Sequence, residues 1–270
     1  MSRNLALRLL VAAIGIPALI AICYYNGIFL LGFTILLVGL GSIELSSMLR
    51  KRGYYVNNIL DVLLPILCIL AAYYNYQLIN VLLISFLLIS LVIVKHYFGK
   101  GDSDLTAFLG DLSANMLPVL YIGFLSSFII YLGKLPETDG LLLIFIFLIV
   151  WATDTAAYFG GKTFGKHKLT ERLSPKKTWE GFYSGFIGAI IAAVVSMLVF
   201  LPISWIQAIV ISIVACFFGQ LGDLIESGLK RHCRIKDSSA ILPGHGGILD
   251  RFDSFFFAAP AVYLIMSIWK

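Results

Sequence analysis

Long, almost unbroken apolar runs dominate the chain and leave it few possible folds. About nine can be counted, at 7–25, 27–48, 59–75, 77–97, 113–132, 140–160, 182–202, 204–224 and 252–269. Each is close to the roughly 20 residues that an α-helix needs to cross a bilayer. The runs are continuous rather than alternating, so they do not read as strands of a membrane barrel. Hydrophobic residues make up 60% of the 270 and charged residues 13%, about half the charged share of a soluble domain. The expected fold class is therefore all-α: one polytopic membrane domain, 1–270, of about nine transmembrane helices.

A net charge of +5 raises nucleic acid as a partner, and the placement of the charge argues against it. With nine spans, alternate connections lie on opposite faces. One face then receives all of the 20 Lys and Arg except Lys134 and Lys270. Surplus cations mark the cytoplasmic side, so the N-terminus is expected in the cytoplasm and the C-terminus outside. One span more or fewer would scramble this division. Arg3 and Arg8 precede the first run, but no A-x-A site follows, which favours a retained span over a cleaved leader. Cys23, Cys68, Cys216 and Cys233 form no CxxC pair, so neither a disulfide framework nor a thiolate metal site is expected. With almost no polar N-terminal extension, the chain is expected in a bacterial plasma membrane.

Carboxylates within or beside spans are costly and normally face a cavity or a partner. Glu44, in GSIELSSMLR, is within reach of Arg50, and that pairing is the simplest account of it. Asp154, in WATDTAAYFGGK, needs a cation, a metal or a proton. Asp223 and Glu226, in FFGQLGDLIESGLK, share one helical face at a spacing of three. A divalent cation held by oxygen ligands would relieve their repulsion; Lys230 or Arg231 would be the alternative. Gly219 and Gly222 on the same run would let another backbone approach. Asp250 and Asp253 are again three apart, with Arg251 between them, at the start of the last run. Helix capping accounts for one of them. The glycine-rich PGHGG before them, with Gly244, Gly246 and Gly247, would add backbone N–H groups suited to phosphate.

Two long connections, Gly161–Gly181 and Ser227–Arg251, complement a phosphorylated ligand. SPKKTWEG supplies Ser174, Lys176, Lys177 and Thr178, and KRHCRIKD supplies Lys230, Arg231, Arg234 and Lys236. Cations beside carboxylates of metal-like spacing are what phosphoryl or nucleotidyl transfer needs. His245 would serve as a base, a phosphate donor or a turn residue. A transporter for a phosphorylated solute would share these cations, but would tend to show inverted repeats and polar groups near the midplane. Here the polar groups gather in 141–270, toward one face.

The stretch SGLKRHCRIKDSSAILPGHGGILDRFD resembles the signature of phosphatidate cytidylyltransferases. All its fixed positions are filled: Ser227, Lys230, Arg231, Lys236, Asp237, Ser239, Pro243, His245, Gly246, Gly247, Asp250, Arg251 and Asp253. DTAAYFGGKTFGKHKL followed by SPKKTWEG is a second family feature. The resemblance is detailed over the half 141–270, whereas 1–140 matches only as a variable bundle of spans. It implies that CTP and phosphatidate give CDP-diacylglycerol and pyrophosphate with Mg²⁺. It carries the metal carboxylates onto Asp223 and Asp250, with Glu226, Asp253 and Asp154 as further ligands or support. Lys176, Lys177, Lys230, Arg231, Lys236 and Arg251 would neutralise phosphates. Ser174, Thr178, Ser227, His245, Gly246 and Gly247 would donate hydrogen bonds to them. A second, monovalent ion such as K⁺ is compatible with these carboxylates, and a homodimer with these spans.

Overall fold

The computed structural model describes residues 3–98, 102–136, 138–239 and 246–269, with the side chains of 3–12 and 102–104 left aside. Helices occupy nearly all of it. In order they are α1 (Arg3–Tyr25), α2 (Gly27–Arg52), α3 (Leu60–Tyr73), α4 (Leu78–Tyr97), α5 (Phe108–Leu117), α6 (Leu125–Gly133), α7 (Leu141–Phe164), α8 (Trp179–Val199), α9 (Trp205–His232) and α10 (Leu249–Ile268). A 3₁₀ turn, Asp102–Ala107, leads into α5, and a π-helical segment, Pro118–Phe124, joins α5 to α6.

Seven helices are long and apolar enough to cross a membrane, counting Leu105–Gly133 as one; Ala13–Tyr25 and Leu60–Tyr73 are shorter apolar helices. The protein is thus an integral membrane protein, with every expected apolar run folded as helix. The ladder of each helix satisfies its own backbone groups, which hydrocarbon cannot do.

Two expectations about the connections need correction. Gly161–Gly181 is not simply a loop. α7 runs on to Phe164, and a two-stranded antiparallel hairpin follows, β1 (Lys168–Thr170) and β2 (Ser174–Thr178). The fold is therefore all-α with one small β-hairpin. Ser227–Arg251 is also shorter than expected, because α9 runs on through Lys230 and Arg231 to His232. Its 28 residues span about 42 Å at 1.5 Å per residue, well beyond a hydrocarbon core of about 30 Å. The extra turns carry Lys230 and Arg231 of the signature.

Close packing places α7 to α10 around the site. Phe147 of α7 stacks on Phe255 of α10 with ring centroids 3.9 Å apart. A Cβ on Gly222 of α9 would lie 2.6 Å from the carbonyl oxygen of Asp253 on α10, so only glycine allows these two backbones so close. Such contacts replace the hydrophobic drive that lipid cannot supply between helices.

Candidate active site

The site is built where α9 and α10 meet, roofed by the hairpin. On α9, Asp223 and Glu226 lie on one face, and Asp253 of α10 comes against them because Gly222 admits its backbone. One ligand oxygen from each of Asp223, Glu226 and Asp253 lies within 4.8 Å of the others. Glu226 is 1% exposed and Asp253 8%. Glu226 Oε1 has no hydrogen-bond partner among the described residues, while Oε2 is ion-paired to Lys230. Asp253 Oδ1 accepts from the Ser254 amide at 2.7 Å. Three convergent carboxylates with a buried unpaired oxygen suit a hard divalent cation, which takes oxygen ligands. They are costly without one, because like charges crowd in a poorly solvated place.

Asp250 lies beside these three acids, linked to Glu226 through Lys230. Its Oδ1 accepts from Lys230 Nζ at 2.6 Å. Its Oδ2 accepts from the Gly247 amide at 2.8 Å, the Ser238 hydroxyl at 2.8 Å and the Ser238 amide at 3.1 Å. Lys230 is thus shared between Glu226 and Asp250. This is the neutralising role foreseen as the alternative to metal, and it reaches one member of the trio, Glu226.

The hairpin brings the other cations. Successive side chains of a strand point to opposite sides. Lys177 pairs with Asp223 at 2.5 Å, and Lys176 is exposed at the rim of a cavity of about 360 Å³. That cavity is also lined by Asp154, Tyr158, Lys162, Gln220 and Asp223, and its volume suits a small ligand. Thr178 ends β2 and caps α8 by accepting from the Gly181 amide at 3.2 Å. Ser174 is half-buried in β2. Ser227 Oγ lies 3.5 Å from Asp223 Oδ1.

Arg231, Lys236 and Arg251 are exposed, and Arg231 reaches the Ile235 carbonyl at 3.3 Å. Gly246 has φ +85°, and Gly247 donates its amide to Asp250 as described. Pro243, Gly244 and His245 lie outside the described residues.

Two contributors escaped the sequence reading, Gln220 and Tyr121, and a third, Glu44, was given the wrong partner. Gln220 lines the cavity and donates to the Phe182 carbonyl at 3.3 Å. Tyr121, 5% exposed on the π-helical segment, has a hydroxyl with no partner among the described residues. It stands within electrostatic reach of Asp253, Glu226 and Asp223, and such π segments recur at functional sites. Glu44 does not pair with Arg50, whose guanidinium instead contacts Asn58. It reaches the signature segment, where it accepts from the Ile248 and Leu249 amides at 2.9 Å each. Its being an isolated acid in an apolar run was the available signal; its partner, about 200 residues away, was not readable.

This architecture, membrane helices carrying basic and acidic groups to a cavity at one end, defines a membrane-embedded enzyme of phosphate chemistry. The sequence profile of the cytidylyltransferase family matches residues 6–269. The chain is 36% identical over 252 residues to a phosphatidate cytidylyltransferase of Bacillus subtilis, covering 89% of this chain and 90% of that one. It is 37% identical over 269 residues to one of Staphylococcus haemolyticus, covering 96% and 98%. A Staphylococcus aureus protein of the same description is 35% identical over 269 residues, at the same coverage. The chain belongs to the cytidylyltransferase family.

Proposed function

We propose that this protein transfers the cytidylyl group of CTP to phosphatidate, giving CDP-diacylglycerol and pyrophosphate. The observation that carries the reading is the convergence of Asp223, Glu226 and Asp253 beside Lys177, Lys230 and the cavity, in a chain whose full-length relatives bear that activity in their names.

A phosphate oxygen of phosphatidate bonds to the α-phosphorus of CTP, and the bond from that phosphorus to the bridging oxygen of the β-phosphate breaks. That phosphate is already anionic near neutral pH, so no strong base and no covalent enzyme intermediate are required. Asp223, Glu226 and Asp253 would hold Mg²⁺, with Asp154 across the cavity, and a second, monovalent ion such as K⁺ is compatible with the same acids. The metal supplies charge neutralisation for the triphosphate and the leaving pyrophosphate. Lys176 and Lys177 meet phosphate from the hairpin side, and Lys230, Arg231, Lys236 and Arg251 from the signature side. Lys230 is itself held by Asp250 and Glu226, so Asp250 serves the transfer by aiming this cation at phosphate. Ser174, Thr178, Ser227, Gly246 and His245 belong to the same phosphate-binding set, whereas the Gly247 amide is committed to Asp250.

The substrates dictate the setting. Phosphatidate keeps its acyl chains in lipid with its phosphate at the interface, and CTP arrives from water. Nine spans, with the N-terminus in the cytoplasm and the C-terminus outside, put the cavity at the cytoplasmic side of a bacterial plasma membrane. The half 141–270 would then carry the chemistry and 1–140 the supporting bundle. The test is direct: purified protein with CTP, Mg²⁺ and phosphatidate should yield CDP-diacylglycerol and equimolar pyrophosphate by mass spectrometry. Pyrophosphate release without a cytidylylated lipid would overturn the reading, as would no reaction at all.

A further inference from the structure

The first turn of α10 lacks a cap of its own. Its N-cap residue, Ile248, has no polar side chain, yet a helix start leaves backbone N–H groups without intrahelical partners. The cap comes from α2. Glu44, 2% exposed, accepts three hydrogen bonds and has a fourth hydroxyl in reach, arranged symmetrically. Oε1 takes the Ile248 amide at 2.9 Å and the Ser239 hydroxyl at 2.5 Å. Oε2 takes the Leu249 amide at 2.9 Å and lies 3.2 Å from the Ser238 hydroxyl. The surroundings are shaped to this carboxylate: a Cβ on Gly247 would lie 2.7 and 2.9 Å from its two oxygens. One turn earlier on α2, a Cβ on Gly41 would already touch Leu249 at 3.4 Å.

These partners continue into the catalytic machinery. Ser238 and Gly247 are the residues that hold Asp250 Oδ2, while Asp250 Oδ1 receives Lys230. The Ser238 hydroxyl has one proton and two carboxylates in reach, so Glu44 and Asp250 compete for it and fix its position between them.

We propose that Glu44 is a positioning residue for the transfer: from α2 it clamps Ser238, Ser239 and the start of α10, and so sets the place of Asp250 and Lys230. This rests on the reading that Asp250 and Lys230 serve cytidylyl transfer. Charge and symmetry are both required. Glutamine, however it is turned, must aim its NH₂ at one of the two backbone N–H groups, which cannot accept.

The test compares Glu44→Gln, Ser238→Ala, their combination and Asp250→Asn in detergent-purified protein, with turnover normalised to the monodisperse, folded fraction. Glu44→Gln is expected to lose about tenfold or more, since small displacements at a reacting centre are costly. Combined with Ser238→Ala it should lose little more than the worse single variant, because both act through Asp250; independent defects would multiply. Should Glu44→Gln not be recovered folded, Glu44→Asp keeps the charge but withdraws it by one methylene, and is expected to show the same non-additivity. Full turnover per folded molecule, or multiplying losses, overturns the clamp. Full activity in Asp250→Asn would instead overturn the underlying assignment of Asp250, whatever Glu44 does.

Discussion

The two carboxylate groups of the site are held in opposite ways. Asp250 and Glu44 are saturated with donors: amides, hydroxyls and one lysine. Asp223, Glu226 and Asp253 crowd together: Lys177 and Lys230 meet only one oxygen each of Asp223 and Glu226, and Glu226 Oε1 is left unpaired. Charged groups that are buried and satisfied build a frame, whereas charged groups that are buried and unsatisfied raise the energy of the fold until something binds them. The difference separates a scaffold from a working site within one small cluster, and Lys230 is the residue that touches both.

Lys230→Met should do the most damage. It strips the cation from Glu226, 1% exposed, and from Asp250, 13% exposed. Losing one partner of a buried pair costs about 3–5 kcal/mol, so the melting temperature in detergent and the activity should fall together. Adding Glu226→Gln should recover part of the melting temperature but not the activity.

Asp223→Asn and Asp253→Asn should separate those readouts. Activity should fall about 100-fold or more, the scale of losing one electrostatic contributor in a catalytic centre. The melting temperature should hold or rise, because each change relieves like-charge crowding. A parallel fall in both would place these residues in the frame instead.

Gly222→Ala probes the approach that brings the trio together. Its Cβ would meet the Asp253 carbonyl, an overpacking that costs about 1–3 kcal/mol. It should lower the melting temperature and weaken activity through Asp253. Thr178→Ala removes the cap of α8, worth about 1 kcal/mol, together with a hydroxyl on the cavity wall. It should lower the melting temperature slightly and weaken turnover only modestly, as the loss of one neutral hydrogen bond to phosphate.

The helices were legible because each apolar run must hide its backbone in the same way, and Gly219–Gly222 announced the close crossing of α9 and α10. The acids at spacing three announced the trio on the α9 side. What was not legible depended on distant partners. The hairpin strands are short and polar, with Pro175 inside one of them, so no periodicity betrays them. The length of α9 was masked because its last turns are charged, as expected of a helix that leaves the bilayer but equally of a loop. Asp223 and Asp250 looked equivalent in the signature. In the structure Asp250 is tied to Ser238, Gly247 and Lys230, partners that no pattern in the sequence announced, while Asp253 comes beside Asp223.

The most direct measurement is metal binding without substrate. Mn²⁺ binding to the purified protein, followed by electron paramagnetic resonance, should reveal a site that Mg²⁺ displaces. The account predicts that Glu226→Gln and Asp253→Asn abolish that site while Asp250→Asn leaves it in place. Loss of the site in Asp250→Asn with retention in Asp253→Asn would contradict it.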